Sequence, residues 1–343
     1  MYKFYKIYFW VVGIFVALLI AGLVVLGFAL SDYEANVPET VANNCFNDIK
    51  AGNFEKVFEG KDICRFEDIK TISDACREKC EGNEITLFKA SSNKTEYNYV
   101  IKAGETRLMQ FSVVPAEAKS KFGFSTYELG NFKFSFTDSY TIKAPDDCTV
   151  YVNGVSLGET DRDKVPDPDT SIELPDGIAP AAYYTYRLTA LLTEPTVTAT
   201  GTSGDERAVT ANGKSYSVSL SQSDALKEKY SSYVIAAVKN YAIYMADDGY
   251  LGMITKYFDT DTATYKYIKE TEVSFVWDHD SYTFTDEQVS DFHEYSPDVF
   301  TCRVKMTQNL FLRGQQPYHD YIDLTVCMRK KGDTYLVYSL KTN

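Results

Sequence analysis

The sequence predicts an α+β protein. It reads as an N-terminal transmembrane helix followed by two cone-like domains, each with helices laid on a curved antiparallel sheet, and these flank a small β-sandwich. Three observations predict this. An uncharged run, "YFWVVGIFVALLIAGLVVLGFAL", lies near the N-terminus. Apolar spacing switches from helical to alternating twice, once before residue 137 and once after residue 219. Between those regions helical periodicity disappears, and Asn153-Gly154 and Asn212-Gly213 supply the strongest short hairpin signal.

The apolar run comes first. No charge occurs from Ile7 to Ser31, enough helix to cross ~30 Å of hydrocarbon. Lys3 and Lys6 precede it, whereas Asp32 and Glu34 follow. The positive flank stays cytoplasmic, so the expected layout is a cytoplasmic tail (1–6), an anchor (7–31) and an extracellular remainder. Phe9 and Trp10 suit an interfacial belt. Gly27-Phe28-Ala29 has the small-x-small form of a signal-peptidase site, but the run exceeds the ~7–15 residues of a signal-peptide core. An uncleaved single-pass anchor in the cell membrane is the expectation. Gly13, Ala17 and Ala21 recur every four residues, a spacing that permits a homodimer through close helix pairing.

Composition narrows the rest. With 45% hydrophobic and 24% charged residues the chain is a folded one, and 27 Tyr with 21 Phe lean towards sheets. The net charge of −13 repels phosphate, which excludes nucleic acid as a partner. Seven cysteines is an odd number for an exported protein. Cys45, Cys64, Cys76 and Cys80 fall in the first domain, where disulfides are chemically permitted and three connectivities stay open. Cys76 and Cys80 share a helix face. Without a nearby His or a CxxC spacing, disulfide or plain burial is expected over zinc.

The first cone domain is placed at 33–137. "VPETVANNCFNDIKAGNF" puts Val41, Cys45, Phe46 and Ile49 on one stripe, with Gly52 as the stop. A short turn with Phe54, Val57 and Phe58 follows, then a helix in "FEDIKTISDACREKC". Long strands come next in "TEYNYVIKAG", "TRLMQFSVVP" and "YELGNFKFSF". The second cone domain, 219–343, repeats that order. Leu226, Tyr230, Val234, Ala237, Tyr241 and Met245 form a helical stripe, started by Ser221 or Ser223 and stopped at Gly249. The helices "YLGMITKYF" and "ATYKYIKE" precede strands in "VSFVW", "SYTFT", "VSDFHEY", "VFTCRVKMTQNLFL", "YIDLTVCMRK" and "TYLVYSL". The breaks at Gly52 and Gly249 are expected to align. Short strands over 138–218 read as a β-sandwich.

Helix, "AGNFEKVF", then long strands resembles the nuclear-transport-factor-2-like cone fold. "YTIKAPDDCTVYVNGVSLGE" looks like a strand pair of PEGA-like surface modules. The order of anchor, cone domain, β-module and cone domain is similar to the membrane-anchored teicoplanin-resistance-associated family. That resemblance implies a bacterial envelope protein, and no catalytic residue carries over from it.

Chemical motifs are read against bland alternatives. Gly154-Val155-Ser156-Leu157-Gly158 matches G-x-S-x-G, but it enters a strand and not a strand-to-helix elbow, so Ser156 belongs to a hairpin arm. His279, His293 and His319 are each followed by an acid, which invites a metal or an acid–base pair. With a turn at Ser296-Pro297, His293 opposes Phe300 on the apolar side, and His279 and His319 fall in turns. Structural histidines are therefore expected. Asp161, Asp163, Asp167 and Asp169 lack the Gly of a calcium loop and read as a solvated acidic segment. Cys302 and Cys327 are expected on opposite faces of neighbouring strands, Cys302 facing Met328, with both thiols free.

The function expected is a non-enzymatic extracytoplasmic binding or scaffolding protein of the cell envelope, with no catalytic residue, cofactor or metal. Its partners would be the lipid bilayer through 7–31 and an envelope protein or wall polymer. The alternative is a small-molecule isomerase or dehydratase using a cone pocket.

Overall fold

The computed structural model describes residues 2–61, 63–93, 95–271 and 278–343, with side chains from Tyr8 onward. The protein is mixed α+β, with an apolar N-terminal helix and several antiparallel sheets. Two compact units divide it, Met1–Ser139 with Thr189–Pro195, and Tyr140–Leu188 with Thr196–Asn343.

The first unit opens with the helix Tyr2–Ala35. Its side chains from Phe9 to Phe28 stand exposed, an apolar surface far larger than soluble monomers leave uncovered. Among the described residues it is the one helix long and apolar enough to cross a membrane. Helix Pro38–Lys50 begins with proline, whose missing N–H costs nothing at a helix start, and buries Ala42, Cys45 and Ile49. It ends in a paired closing turn: Asn53 N–H reaches Asp48 O at 2.9 Å and Gly52 N–H reaches Ile49 O at 3.0 Å. Gly52 takes φ +78°, so the chain reverses into Phe54–Phe58, which buries Phe54, Val57 and Phe58. Asp68 caps Ile69–Cys80 by accepting from Thr71 N–H at 2.7 Å.

A four-stranded meander follows: Ile85–Ser92, Tyr97–Ala103, Thr106–Lys119 and Ser125–Phe134, paired in chain order. Aromatic rings fill the space between helices and sheet. Tyr99 and Phe111 stack 5.6 Å apart and Phe111 and Phe132 5.9 Å apart, and Phe58 meets Phe132 edge-on at 5.3 Å. Strand Ile85–Ser92 was not expected. It is an edge strand with no fully buried residue, so its sequence lacks the alternation that marks the others.

The second unit contains the same element order. Helix Asp224–Met245, capped by Ser223, is followed by Leu251–Thr255 and Ala263–Glu270. Strands Ser281–Ser296, Val299–Phe311, Tyr318–Lys331 and Thr334–Thr342 then pair in chain order. The expected stop at Gly249 is corrected. Asp248 N–H reaches Ile243 O and Asp247 N–H reaches Tyr244 O, both at 3.1 Å, so Asp247 (φ +61°) holds the left-handed position. The first strand was expected as two. Asp286 and Asp291, each with φ +56°, make bulges that bend one long strand without ending it. The expected strand "VSFVW" lies outside the described residues.

Those bulges also overturn the placement of His293. It pairs with Thr301, while Phe292 takes the core side against Phe300. Cys302 pairs with Val326 and not Met328, because the strand ends at Phe311 and the loop is longer than expected. The slip is two residues, so parity survives. Cys302 shares a core with Phe300, Val304 and Met306, whereas Cys327 clusters with Ile172 and Val299 on the other face.

The middle region also lies in this second unit, apart from its short segment in the first. It holds two small sheets. Asp138–Pro145 and Cys148–Val152, expected as one strand pair, lie in different sheets. Asp146 N–H bonds Ala182 O and Asp147 O accepts from Thr202, which fixes the corner between them. Asn153 (φ +50°) and Gly154 (φ +82°) form the two-residue turn that Asn-Gly favours. At the second Asn-Gly, Asn212 pairs with Ser215, so the turn residues are Gly213 and Lys214. Ser215–Val218 runs parallel to Asp138–Pro145, a pairing no hairpin signal encodes.

Candidate functional site

In the first unit the turn at Gly52 overhangs a cleft of about 710 Å³. Ile49, Phe54 and Ile85 give it an apolar lining, and Lys50, Asp74, Arg77, Glu78, Glu81 and Glu84 supply charge around it. Arg77 organises one side: it pairs with Glu55 at 2.9 Å and with Asp74, and reaches Gly52 O at 3.4 Å. Hydrogen bonding within its own backbone and to Arg77 holds the Glu55 carboxyl below its ordinary range. Cys80 also lines the cleft, but burial raises its thiol, leaving it protonated and a poor nucleophile.

In the second unit a polar group sits on the core face of the sheet. Gln308 and Asp320 are direct cross-strand partners. Gln308 is 2% exposed, and its buried Nε2 has no hydrogen-bond partner among the described residues. Burial raises the Asp320 carboxyl above its ordinary value. Tyr241, on the facing helix, is raised by burial and then by the nearby Tyr267 and Asp320. An unused amide donor beside an easily protonated carboxyl could hold a polar ligand atom or exchange a proton.

The three histidines are not brought together. His279 pairs with Asp248 at 2.7 Å, and His319 meets the Asn309 side chain opposite it within a strand, not in a turn. His293 places Nδ1 3.0 Å from Ser221 Oγ and its ring against Tyr295, and burial lowers it below the usual imidazole value. It stays neutral near pH 7. Ser156 sits in strand Val155–Ser156, opposite Tyr151. In the acidic segment, Asp161 accepts from Gly158 N–H, Asp163 pairs with Arg187 and Asp169 accepts from Ser171 N–H. Burial pushes Asp169 up, but the Ser171 bonds outweigh it and hold the carboxyl low. Burial raises all four first-domain thiols, Cys45 to about 12. Gly13 and Ala17 form a shallow groove with Phe9, Trp10 and Ile14 along the apolar helix.

Two carboxylates escaped sequence reasoning because their partners are remote in the chain. Glu67 is buried and clamps the segment Thr189–Pro195. Its oxygens accept from Leu192 N–H at 3.0 and 3.1 Å, Thr193 N–H at 2.8 Å and Thr193 Oγ1 at 2.7 Å. Asp259 is 0% exposed and pairs with Arg329 and with Lys331 at 2.8 Å. Both bind the fold together and neither lines the cleft beneath Gly52.

No family model matches the chain, and no curated protein matches it. A solved structure described as an Ntf2 like protein involved in plasmid conjugation is similar at 12% identity, covering 76% of this chain and 75% of that one with a TM-score of 0.25.

Proposed function

We propose that the protein is a non-enzymatic binding or scaffolding component of the bacterial cell envelope. Residues 7–31 anchor it in the cell membrane, with the N-terminus cytoplasmic and the bulk of the chain outside. Lys3 and Lys6 before the apolar run and the acids after it support that orientation. The middle region is a PEGA-like β-sandwich module in this reading, the architecture is that of the teicoplanin-resistance-associated family, and two copies pair through Gly13, Ala17 and Ala21.

The observation that carries the reading is the cleft beneath Gly52. Its apolar lining and mixed-charge surround suit an extended partner, an envelope protein or wall polymer, that buries an apolar group and pairs at the rim. The test is retention of separated envelope fractions by the intact protein in lipid discs. Retention should be lost in Ile85→Arg with the circular dichroism spectrum unchanged. Equal retention by the variant overturns the assignment of the cleft.

Asp320 and Gln308 favour a second reading, a small-molecule enzyme of isomerase or dehydratase type. Under it, a compound screen should return ligands whose affinity falls in Asp320→Asn and Gln308→Leu but not in Ile85→Arg.

A further inference from the structure

The hairpin tip between strands Thr106–Lys119 and Ser125–Phe134 is tied to the end of the apolar helix. Phe122 N–H reaches Asp32 Oδ2 at 3.4 Å, and Tyr33 packs edge-on against Phe124 with ring centroids 5.4 Å apart. The tip itself is well braced. Gly123 N–H bonds Ser120 O at 2.9 Å, Phe124 N–H bonds Ser120 Oγ at 3.0 Å, and Gly123 takes φ +81° to close the turn. A braced turn nevertheless leaves Phe122 45% exposed, beside Tyr33 at 50%. An aromatic ring that its own turn holds out of the core is free to enter an apolar environment outside the protein.

Position supplies one. The last apolar residue of the run is Leu30, and Asp32 lies about 3 Å further along the helix axis at 1.5 Å per residue. The interfacial layer of a bilayer is roughly 5–8 Å deep on each side of the hydrocarbon. A helix that spans with Leu30 at the hydrocarbon edge therefore sets Phe122 and Tyr33 in that layer, where aromatic rings concentrate. The charges around them fit the same place. Lys121 in the tip can reach lipid phosphates and Lys119 beside it rests its Nζ 3.0 Å from Ser125 Oγ, while Asp32 accepts from the Phe122 N–H and Glu34 lies a further two residues out.

We propose that the Ser120–Phe124 hairpin tip is a second membrane contact, inserting Phe122 into the interfacial layer of the bilayer that the helix spans. This rests on the anchor reading above. Two contacts on one compact unit would restrict the tilt of the first sheet against the membrane, where a single helix would leave it free to swivel.

The test uses the full chain in vesicles of phosphatidylcholine and phosphatidylglycerol with bromines near the top of the acyl chains. Trp10 alone remains in Trp277→Phe. Phe122→Trp and, as a control on an exposed strand, Phe88→Trp are each made in the Trp10→Phe, Trp277→Phe background. The indole introduced at position 122 is expected to be blue-shifted, quenched by the bromines and protected from aqueous iodide, with the indole at position 88 the reverse. If Trp10 is quenched but the indole at position 122 behaves like the one at position 88, the hairpin contact is overturned and the anchor stands. If Trp10 also escapes the bromines, the anchor reading fails and takes the hairpin contact with it.

Discussion

Gly52 (φ +78°) and Asp247 (φ +61°) hold the same left-handed position in the same helix-ending turn, one in each unit. In each case the turn bonds back to the helix through two successive N–H groups and starts a short second helix. A long helix ended this way returns its apolar face to the sheet, which a continuous helix would carry off the end. The side chain at that position decides the strain, because an L residue pays for a positive φ and glycine does not.

Asp247→Gly is therefore expected to stabilise the protein by about 0.5 kcal/mol, and Gly52→Ala to destabilise it by about 1 kcal/mol. Urea midpoints of the two variants against the parent measure both. A stabilising Gly52→Ala would mean that the turn is not strained as its dihedrals imply.

Asp259 makes the stability of the second unit depend on pH. Burial pushes its carboxyl up, but the bonds from Lys331 and Arg329 outweigh this and leave it below the ordinary carboxylate value. A depressed folded value means that the unfolded chain takes up the proton first. The contribution is thus complete above the unfolded value of about 3.9 and is lost as pH falls through the folded one. Asp259→Asn should cost about 1–2 kcal/mol at pH 7, since it removes the carboxylate from two partly exposed cations of which Lys331 keeps Asp261 at 2.7 Å, and should flatten the acid limb of stability below about pH 4. Asp323, held at about 2 by a bidentate Arg303 contact, gives a residual slope in the same window. An unchanged acid limb in Asp259→Asn would count against the pairing.

Much of this was legible in the residues themselves. The Ser223 cap, the Gly52 stop and the Asn153-Gly154 turn depend on neighbours within a few positions, so local chemistry specifies them. Parity in strands Val299–Phe311 and Tyr318–Lys331 was legible for the same reason, although the register was two residues out. What failed depends on chain geometry that alternation cannot express. Bulges at Asp286 and Asp291 fused two expected strands and turned His293 away from Phe300. The candidate sites were less legible still. Gln308 and Asp320 meet only through strand register, and Glu67 meets Leu192 and Thr193 only through the tertiary fold.

Glu67 is predicted to be the residue that orders the segment Thr189–Pro195. Its carboxylate satisfies two backbone N–H groups and one hydroxyl, and Leu192 packs into the core beside them. Glu67→Ala leaves those donors without an acceptor at a cost of about 2–3 kcal/mol, whereas Glu67→Gln keeps one acceptor oxygen and should cost less. Limited proteolysis reads the difference directly. Cleavage between Thr189 and Pro195 should accelerate in the alanine variant, to a lesser degree in the glutamine variant, and not in Asp259→Asn. Equal cleavage in all three would remove Glu67 from this role.

Cys302 and Cys327 lie on neighbouring strands, a placement that invites a disulfide. Cys302 pairs with Val326 and Cys327 with Thr301, so the two side chains leave opposite faces of the sheet. A disulfide needs Cβ atoms ~3.5–4.5 Å apart on one face, and the register between these strands runs unbroken from Val299 to Leu310. Each face has its own cover: Cys302 is 1% exposed under the helices, and Cys327 is 0% exposed beneath Ile172. Burial raises both thiols, Cys327 to about 12, so neither forms thiolate at ordinary pH. Both should resist alkylation in the folded protein and react fully once it is unfolded in urea. Non-reducing peptide maps should show 302 and 327 in separate peptides. Recovery of a 302–327 bridge would require the strand Tyr318–Lys331 to slip by one residue, which would turn Leu324, Val326 and Met328 out of the core they fill.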